Sequence, residues 1–144
     1  MKLRIIMSSR VKDRQVEELA SEYIKRTNAW AECSMQEIAN SNPEKQAQAL
    51  LKAGSGWLVG MDPAGKQHKS SEAFAEWLNG KLETHGGVTF YIGEADGLNK
   101  TLKKNADELI SLTGLTMGHR ICLVMLAEQL YRSMTIIKGH PYHK

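Results

Sequence analysis

Short runs that are apolar almost throughout alternate with amphipathic segments along this chain, and this alternation limits its fold more than any other feature. The clearest runs are residues 3–8, 57–61 and 88–92. A strand that is buried on both faces needs apolar side chains at successive positions, and parallel sheets covered by helices bury their strands in this way. The sequence therefore predicts an α/β fold with a mostly parallel sheet covered by helices on both faces.

Periodicity and capping residues predict five helices and two further strands around these runs. Asn42 followed by Pro43 is typical of an N-cap and a first helical position, and Ser70 or Ser71 is a second candidate N-cap. Residues 62–66 have turn chemistry and predict the end of the strand before them. The predicted helices cover 13–26, 42–52, 70–85, 99–106 and 119–138, and the weaker strands cover 31–38 and 109–112.

Length and composition predict one globular domain over residues 1–144, with 42% hydrophobic and 24% charged residues. The net charge of +3 permits an anionic partner without requiring one. The apolar start is too short for a signal peptide and the run 121–127 is too short to span a bilayer, so we expect a cytoplasmic protein with no membrane partner. His, Cys, Asp and Glu residues nowhere show the spacing of a ligand set, so no metal site is predicted.

Three of the predicted strands end in loops with distinctive chemistry, at 61–63, 93–97 and 112–118. Ligands of parallel sheets bind at the carboxyl ends of the strands, so converging loops would form one pocket there. The segment 93–97 is too short for a dinucleotide or phosphate-binding glycine motif, and a plain tight turn is an equal alternative. The loop 112–118 keeps Leu and Met, which suits apolar contact with a flat group such as adenine; a packing loop is the alternative.

Polar and aromatic residues crowd the end of the chain, where residues usually fray. His140, Tyr142 and His143 are therefore candidates for ordered, functional groups, with a solvated end as the alternative. Glu128 and Arg132 lie four apart on the last predicted helix and read equally well as a simple surface ion pair.

Taken together, these segments resemble the SPOUT-class RNA methyltransferases, and specifically the small family that methylates N3 of a pseudouridine in large-subunit ribosomal RNA. The resemblance spans essentially the whole chain and includes the turn 61–66. It is strongest in the last third, through 91–93, 97–98, 112–116, His119, 128–132 and 141–144.

The resemblance implies a trefoil-knotted domain, in which the final helix passes through an earlier loop, and a homodimer with its active site near the subunit interface. It implies S-adenosylmethionine as the methyl donor and a target in a hairpin loop of 23S ribosomal RNA on the assembled ribosome, without a DNA partner. Carried over position by position, it assigns the cofactor to Met61, Gly93, Leu112, Thr113, Gly114, Leu115, Thr116 and Met117.

Methylation of N3 also requires its proton to leave, and no general base is strongly indicated. His143, with Tyr142 beside it, is our candidate to lie near the target base and to take or polarise that proton. Arg120, Arg132 and the basic clusters become candidates for phosphate contact or for pairing across the interface.

This chain departs from the family pattern at two positions, with Glu94 where a second glycine is usual and Gly118 where proline is common. The Glu94 carboxylate would either crowd the cofactor or pair with its ammonium or sulfonium group. A ribosome-binding protein of the same fold without turnover is therefore an alternative function. A nucleotide-dependent α/β enzyme unrelated to RNA is a third.

Overall fold

The computed structural model describes residues 1–143, with side chains described as far as Tyr142. Its five strands form one parallel sheet in the order β2-β1-β4-β3-β5, which confirms the predicted fold class. The strands are β1 (Lys2–Met7), β2 (Glu32–Glu37), β3 (Trp57–Lys66), β4 (Gly87–Ile92) and β5 (Glu108–Ile110).

The predicted helices are all present, with ends within a few residues of the predicted ones. The first four helices have N-caps whose side chains accept backbone N–H groups, for example Asp13 from Val16 and Ser70 from Ala73, whereas the last helix follows Gly118 without a side-chain cap. No helix in the described part of the chain has both the length and the apolar character needed to cross a membrane. The helices are α1 (Arg14–Thr27), α2 (Pro43–Ala53), α3 (Ser71–His85), α4 (Lys100–Asn105) and α5 (His119–Lys138), followed by a 3₁₀ turn at Pro141–His143.

Helices cover both faces of the sheet, as predicted. On one face α5 packs between α1 and α3 over a core that includes Phe90 and Leu123. On the other face α2 and α4 enclose Ile6, Tyr91 and Leu102. Side chains of a strand alternate between the faces, so the central strand β4 must be apolar or internally bonded throughout.

The third strand differs from the prediction that the turn at 62–66 ends it. β3 continues to Lys66, and both Met61 and Lys66 pair with Ile110, so residues 62–65 loop out between them. Asp62 accepts a 2.8 Å hydrogen bond from the Ala64 N–H, which is the expected turn chemistry. Hydrogen bonding then resumes because the Ser111 N–H donates to the Lys66 carbonyl at 2.9 Å. The turn was predicted correctly, but the end of the strand was wrong.

The final helix begins after the loop that follows β5 and returns across the sheet between α1 and α3. Its passage through an earlier loop, which would make the trefoil knot, stays a prediction.

One ion pair fixes the looped-out segment of β3 against α4. The Asp62 carboxylate lies 2.7 Å from the Lys103 ammonium and its side chain is only 8% exposed. The hydrogen bond from Lys103 and the one from the Ala64 N–H lower the pKa of Asp62 below its ordinary value. A lowered carboxylate pKa stabilises the folded state above the unfolded pKa, and this contribution is lost as the pH falls through the folded pKa.

We therefore expect Asp62→Asn to lower the free energy of unfolding at pH 7 by about 1–2 kcal/mol and to lower it by a smaller amount near pH 3, where part of the contribution of the carboxylate has been lost. Urea denaturation at both pH values measures the difference. Glu18→Gln is the control, because Glu18 forms an exposed pair with Arg14. An equal loss for Asp62→Asn at both pH values would contradict the assignment.

Candidate functional site

A cavity of about 590 Å³, counted to its open mouth, lies at the carboxyl ends of β4 and β5, beside the looped-out segment of β3. The three loops that the sequence singled out converge there and form its walls. Its lining residues are Met61, Asp62, Pro63, Ile92, Gly93, Glu94, Ala95, Gly97, Ile110, Ser111, Leu112, Leu115, Thr116, Met117, His119 and Cys122.

Six of the eight predicted cofactor residues line this cavity: Met61, Gly93, Leu112, Leu115, Thr116 and Met117. The other two, Thr113 and Gly114, belong to the same loop but are not among the lining residues. The Thr113 carbonyl accepts a hydrogen bond from the Ser111 hydroxyl, and its own hydroxyl accepts one from the Leu115 N–H at 3.3 Å. Thr113 therefore shapes the loop.

The glycine turn after β4 is required by the backbone itself. A β-carbon at Gly93 would lie 2.5 Å from the Gly97 carbonyl oxygen, so no larger residue fits without moving the turn. Gly97 has φ +94° and donates its N–H to the Glu94 carbonyl at 2.9 Å. The backbone geometry of the turn thus requires glycine at both positions, and the turn also forms one wall of the cavity.

Several lining residues were not among the cofactor residues predicted from the sequence, where His119 was noted only as part of the resemblance and Cys122 was given no functional role. His119 and Cys122 are three apart at the start of α5, a spacing that puts both side chains on one face of the helix. Burial raises the pKa of Cys122 to about 11, so its thiol stays protonated at neutral pH. Across residues 1–143, no cluster of three or more side chains is suited to hold a metal ion.

Glu94 is exposed and borders two spaces at once. It lines the cavity, and it also lines the outer groove, a shallow depression beside the cavity mouth whose lining includes Arg10, Lys12, Arg120 and Asp96. The carboxylate therefore stands at the mouth of the cavity, where both hypotheses for its effect on a bound cofactor remain possible.

The C-terminal tail is ordered by a cluster on the outer half of α5. The Tyr142 hydroxyl donates a 3.3 Å hydrogen bond to Glu128, and the Arg132 guanidinium lies 5.1 Å from the centre of the Tyr142 ring. Glu128 and Arg132 form a 2.5 Å ion pair with side chains only 18% and 24% exposed, so the surface-pair interpretation is wrong. Tyr131 completes the cluster, with its ring centre 4.6 Å from that of Tyr142.

Within one chain the tail and the cavity stay apart. Tyr142 contacts Glu128, which lies six residues beyond Cys122, the last residue of α5 in the cavity lining, and so about 9 Å further along the helix axis. Tyr142 is not among the residues that line the cavity. The side chain of the second predicted catalytic residue, His143, lies outside the described residues.

Burial, followed by hydrogen bonding to Tyr23 and the nearby Glu128 charge, raises the pKa of Tyr142 to about 12. The phenol is therefore protonated at neutral pH. It acts as a hydrogen-bond donor rather than as a base.

Comparison with known proteins gives a consistent result. The family model described as Predicted SPOUT methyltransferase matches residues 1–143. The ribosomal RNA large subunit methyltransferase H of Methylobacillus flagellatus is 37% identical over 155 residues, covering 100% of this chain and 99% of that protein. The protein of the same name from Caldicellulosiruptor saccharolyticus is 35% identical over 154 residues and covers 99% of each chain.

Solved structures agree on the fold. A probable methylase family protein from Haemophilus influenzae superposes with a TM-score of 0.60 at 11% identity, covering 99% of this chain and 70% of that one. The whole-length family match and the full-length relatives above 30% identity lead to one conclusion: this chain belongs to the SPOUT family of methyltransferases.

Proposed function

We propose that this chain methylates N3 of a pseudouridine in large-subunit 23S ribosomal RNA, with S-adenosylmethionine as the methyl donor. The observation that carries the proposal is the cavity at the carboxyl edge of the sheet, in a chain whose full-length relatives are named ribosomal RNA large subunit methyltransferases. The pseudouridine and its N3 atom come from the resemblance of the glycine turn, the loop 112–118 and the tail.

The lining of the cavity fits this cofactor. Met61, Ile110, Leu112 and Met117 offer apolar surface for the adenine ring. The turn at Gly93 and the loop 112–117 bring backbone close to the space, where N–H and C=O groups are suited to bind the polar edges of the ligand. When bound, S-adenosylmethionine supplies an electrophilic methyl group on a sulfonium.

Positioning accounts for most of the catalysis that the chain has to provide, because methyl transfer requires donor carbon and acceptor nitrogen in line. Tyr142, protonated at neutral pH, is suited to hold the target base by a hydrogen bond. His143 is the proposed base, which takes the N3 proton as the new bond from carbon to nitrogen forms. Cys122 stays a thiol and has no nucleophilic part.

A homodimer would bring the tail of one chain to the cavity of the other. Leu115 is 76% exposed and Ile121 is 56% exposed, and both lie at the cavity end of α5. Exposed large apolar side chains next to a functional cavity are typical of surfaces that a partner covers. We therefore propose that the chain acts as one SPOUT domain in a symmetric dimer, on ribosomes in the cytoplasm.

A binding protein of the same fold without turnover is the second candidate, favoured by Glu94 at the mouth of the cavity. One assay distinguishes the methyltransferase from the binding protein. Ribosomes from a strain that lacks this protein are incubated with the purified protein and labelled S-adenosylmethionine, and the label in large-subunit RNA is located by mass spectrometry. Ribosome binding without label supports the binding protein.

In that assay we expect label on one pseudouridine from the wild-type protein and a strong loss with Thr116→Trp. Thr116 is exposed and lines the cavity, so an indole there fills the mouth without disturbing the core. Steric overlap of this kind costs about 1–3 kcal/mol, so calorimetry should show binding of S-adenosylmethionine weakened by roughly 5- to 150-fold. Gln48→Trp, exposed on α2, is the control. Unchanged affinity in Thr116→Trp would rule out this cavity as the cofactor site.

Mixing two inactive variants tests whether the tail acts on the partner's site. Thr116→Trp impairs the cavity and His143→Ala impairs the tail. If the tail acts across the interface, remixed subunits regain about a quarter of wild-type activity, because half the dimers are mixed and each has one intact site. No recovery, although light scattering shows mixed dimers, would place the tail on its own chain's site. An undiminished rate for His143→Ala alone would show that His143 is not the base.

Glu94→Gly, with Glu94→Gln as its isosteric neutral partner, separates the two hypotheses for this residue. Crowding predicts tighter binding of S-adenosylmethionine for the glycine variant and little change for the glutamine variant. A charge interaction predicts weaker binding for both, by about 2- to 5-fold for an exposed pair. Calorimetry with S-adenosylhomocysteine, which lacks the sulfonium charge, shows whether that charge is the one recognised.

A further inference from the structure

The outer groove opens directly onto the mouth of the cofactor cavity. Its lining includes the basic residues Arg10, Lys12 and Arg120 and the acidic residues Glu94 and Asp96. It shares Glu94, Ala95 and His119 with the cavity. A polymer chain lying in the groove would therefore pass beside any group that enters the cavity to react.

Val11, which lies between Arg10 and Lys12, is held in place by three sets of contacts. Its side chain is fully buried. Its N–H donates a 2.5 Å hydrogen bond to the Glu37 carboxylate at the end of β2, and its carbonyl accepts a 2.7 Å hydrogen bond from Nε of Arg120 on α5. The loop between β1 and α1 is thereby held to two other elements through one residue.

The anchored residue forces its neighbours outward. Arg10 and Lys12 flank Val11 and are both exposed, and neither forms a salt bridge within residues 1–143. Lys12 has φ +52°, and it is the one residue other than glycine with a positive φ in the described part of the chain. Strain of this kind persists only where the surrounding structure enforces it, and it concentrates at functional positions.

We propose that the outer groove binds the phosphate backbone of the RNA beside the target nucleotide, with Arg10 and Lys12 as the phosphate contacts. Arg120 is the positioning residue, because it holds Val11 and so keeps both cations in the groove. Glu94 and Asp96, which also line the groove, repel phosphates, so the backbone lies along the basic residues. The proposal rests on the proposed function and names the part of the surface that recognises its substrate.

The test compares methyl transfer to ribosomes by Lys12→Asn and Arg10→Gln with transfer by Lys52→Asn. Asparagine tolerates the left-handed conformation at Lys12, so this variant loses the charge without added strain. Lys52 is an exposed lysine in the last turn of α2, at the opposite edge of the sheet. We expect each groove variant to raise KM for ribosomes by about 2- to 5-fold. The salt dependence of log KM should fall by about 0.7–1 per charge removed, with kcat and cofactor affinity unchanged.

Two neutral variants of Arg120 separate its charge from its hydrogen bond. Glutamine carries an N–H donor the same number of bonds from the backbone as Nε of arginine, whereas methionine carries none. If Arg120 acts by holding Val11, Arg120→Met raises KM more than Arg120→Gln, and Lys12→Asn adds less to Arg120→Met than to the wild type. Equal effects of the two variants would overturn the positioning role.

The outcomes for the groove and for the proposed function remain separate. If the wild type transfers label, and Lys12→Asn and Lys52→Asn have the same KM and the same salt dependence, the groove proposal is overturned and the proposed function stands. If the wild type transfers no label, the proposed function fails, and the groove is tested by the affinity of each variant for ribosomes as the salt concentration rises. If the affinity of Lys12→Asn for ribosomes falls with salt concentration as steeply as that of the wild type, the groove proposal is overturned.

Discussion

Burial of the central strand on both faces dictates where the helices pack and which part of the sheet is free to bind a ligand. β4 pairs in parallel with β1 on one side and β3 on the other, and every one of its residues is buried. Phe90 faces the core beneath α1, α3 and α5, while Tyr91 faces α2 and donates its hydroxyl to the Leu50 carbonyl at 3.0 Å. With both faces occupied, the strand's carboxyl end is the part that remains available to bind a ligand.

The loops at that end are held by polar contacts rather than by packing alone. Asp62 ties the looped-out segment of β3 to Lys103 on α4, and Arg120 ties the loop after β1 to α5. The Ser111 side chain closes the turn after β5 onto the Thr113 carbonyl. Each contact links segments that would otherwise move separately. Ordered loops around the cavity are needed because methyl transfer requires the donor and the acceptor to be aligned. The loops that these contacts hold form two different sites at this edge, an apolar cavity and a charged groove.

Sequence reasoning reached the fold class, the helices and the three loops because these follow from local patterns. Caps such as Asn42 and Ser70 act on backbone groups within three residues, so they can be predicted from the sequence alone. The end of β3 was mispredicted because its return to the sheet at Lys66 depends on pairing with Ile110, far along the chain. The Glu128–Arg132 pair reads as a surface pair from its spacing, and only the docking of the tail shows that it is partly buried.

The amino-acid sequence alone predicts a parallel α/β sheet from its alternating buried strands and amphipathic helices, because burial periodicity is a property of neighbouring residues. It also determined which loops carry unusual residues. Only the tertiary structure decided that six of the eight predicted cofactor residues surround one cavity and that Tyr142 lies apart from it on the same chain. Only the structure shows that Arg120 holds Val11 across 109 residues of sequence. The reason is physical: such contacts are set by the packing of whole elements, and no local pattern encodes the distance between them.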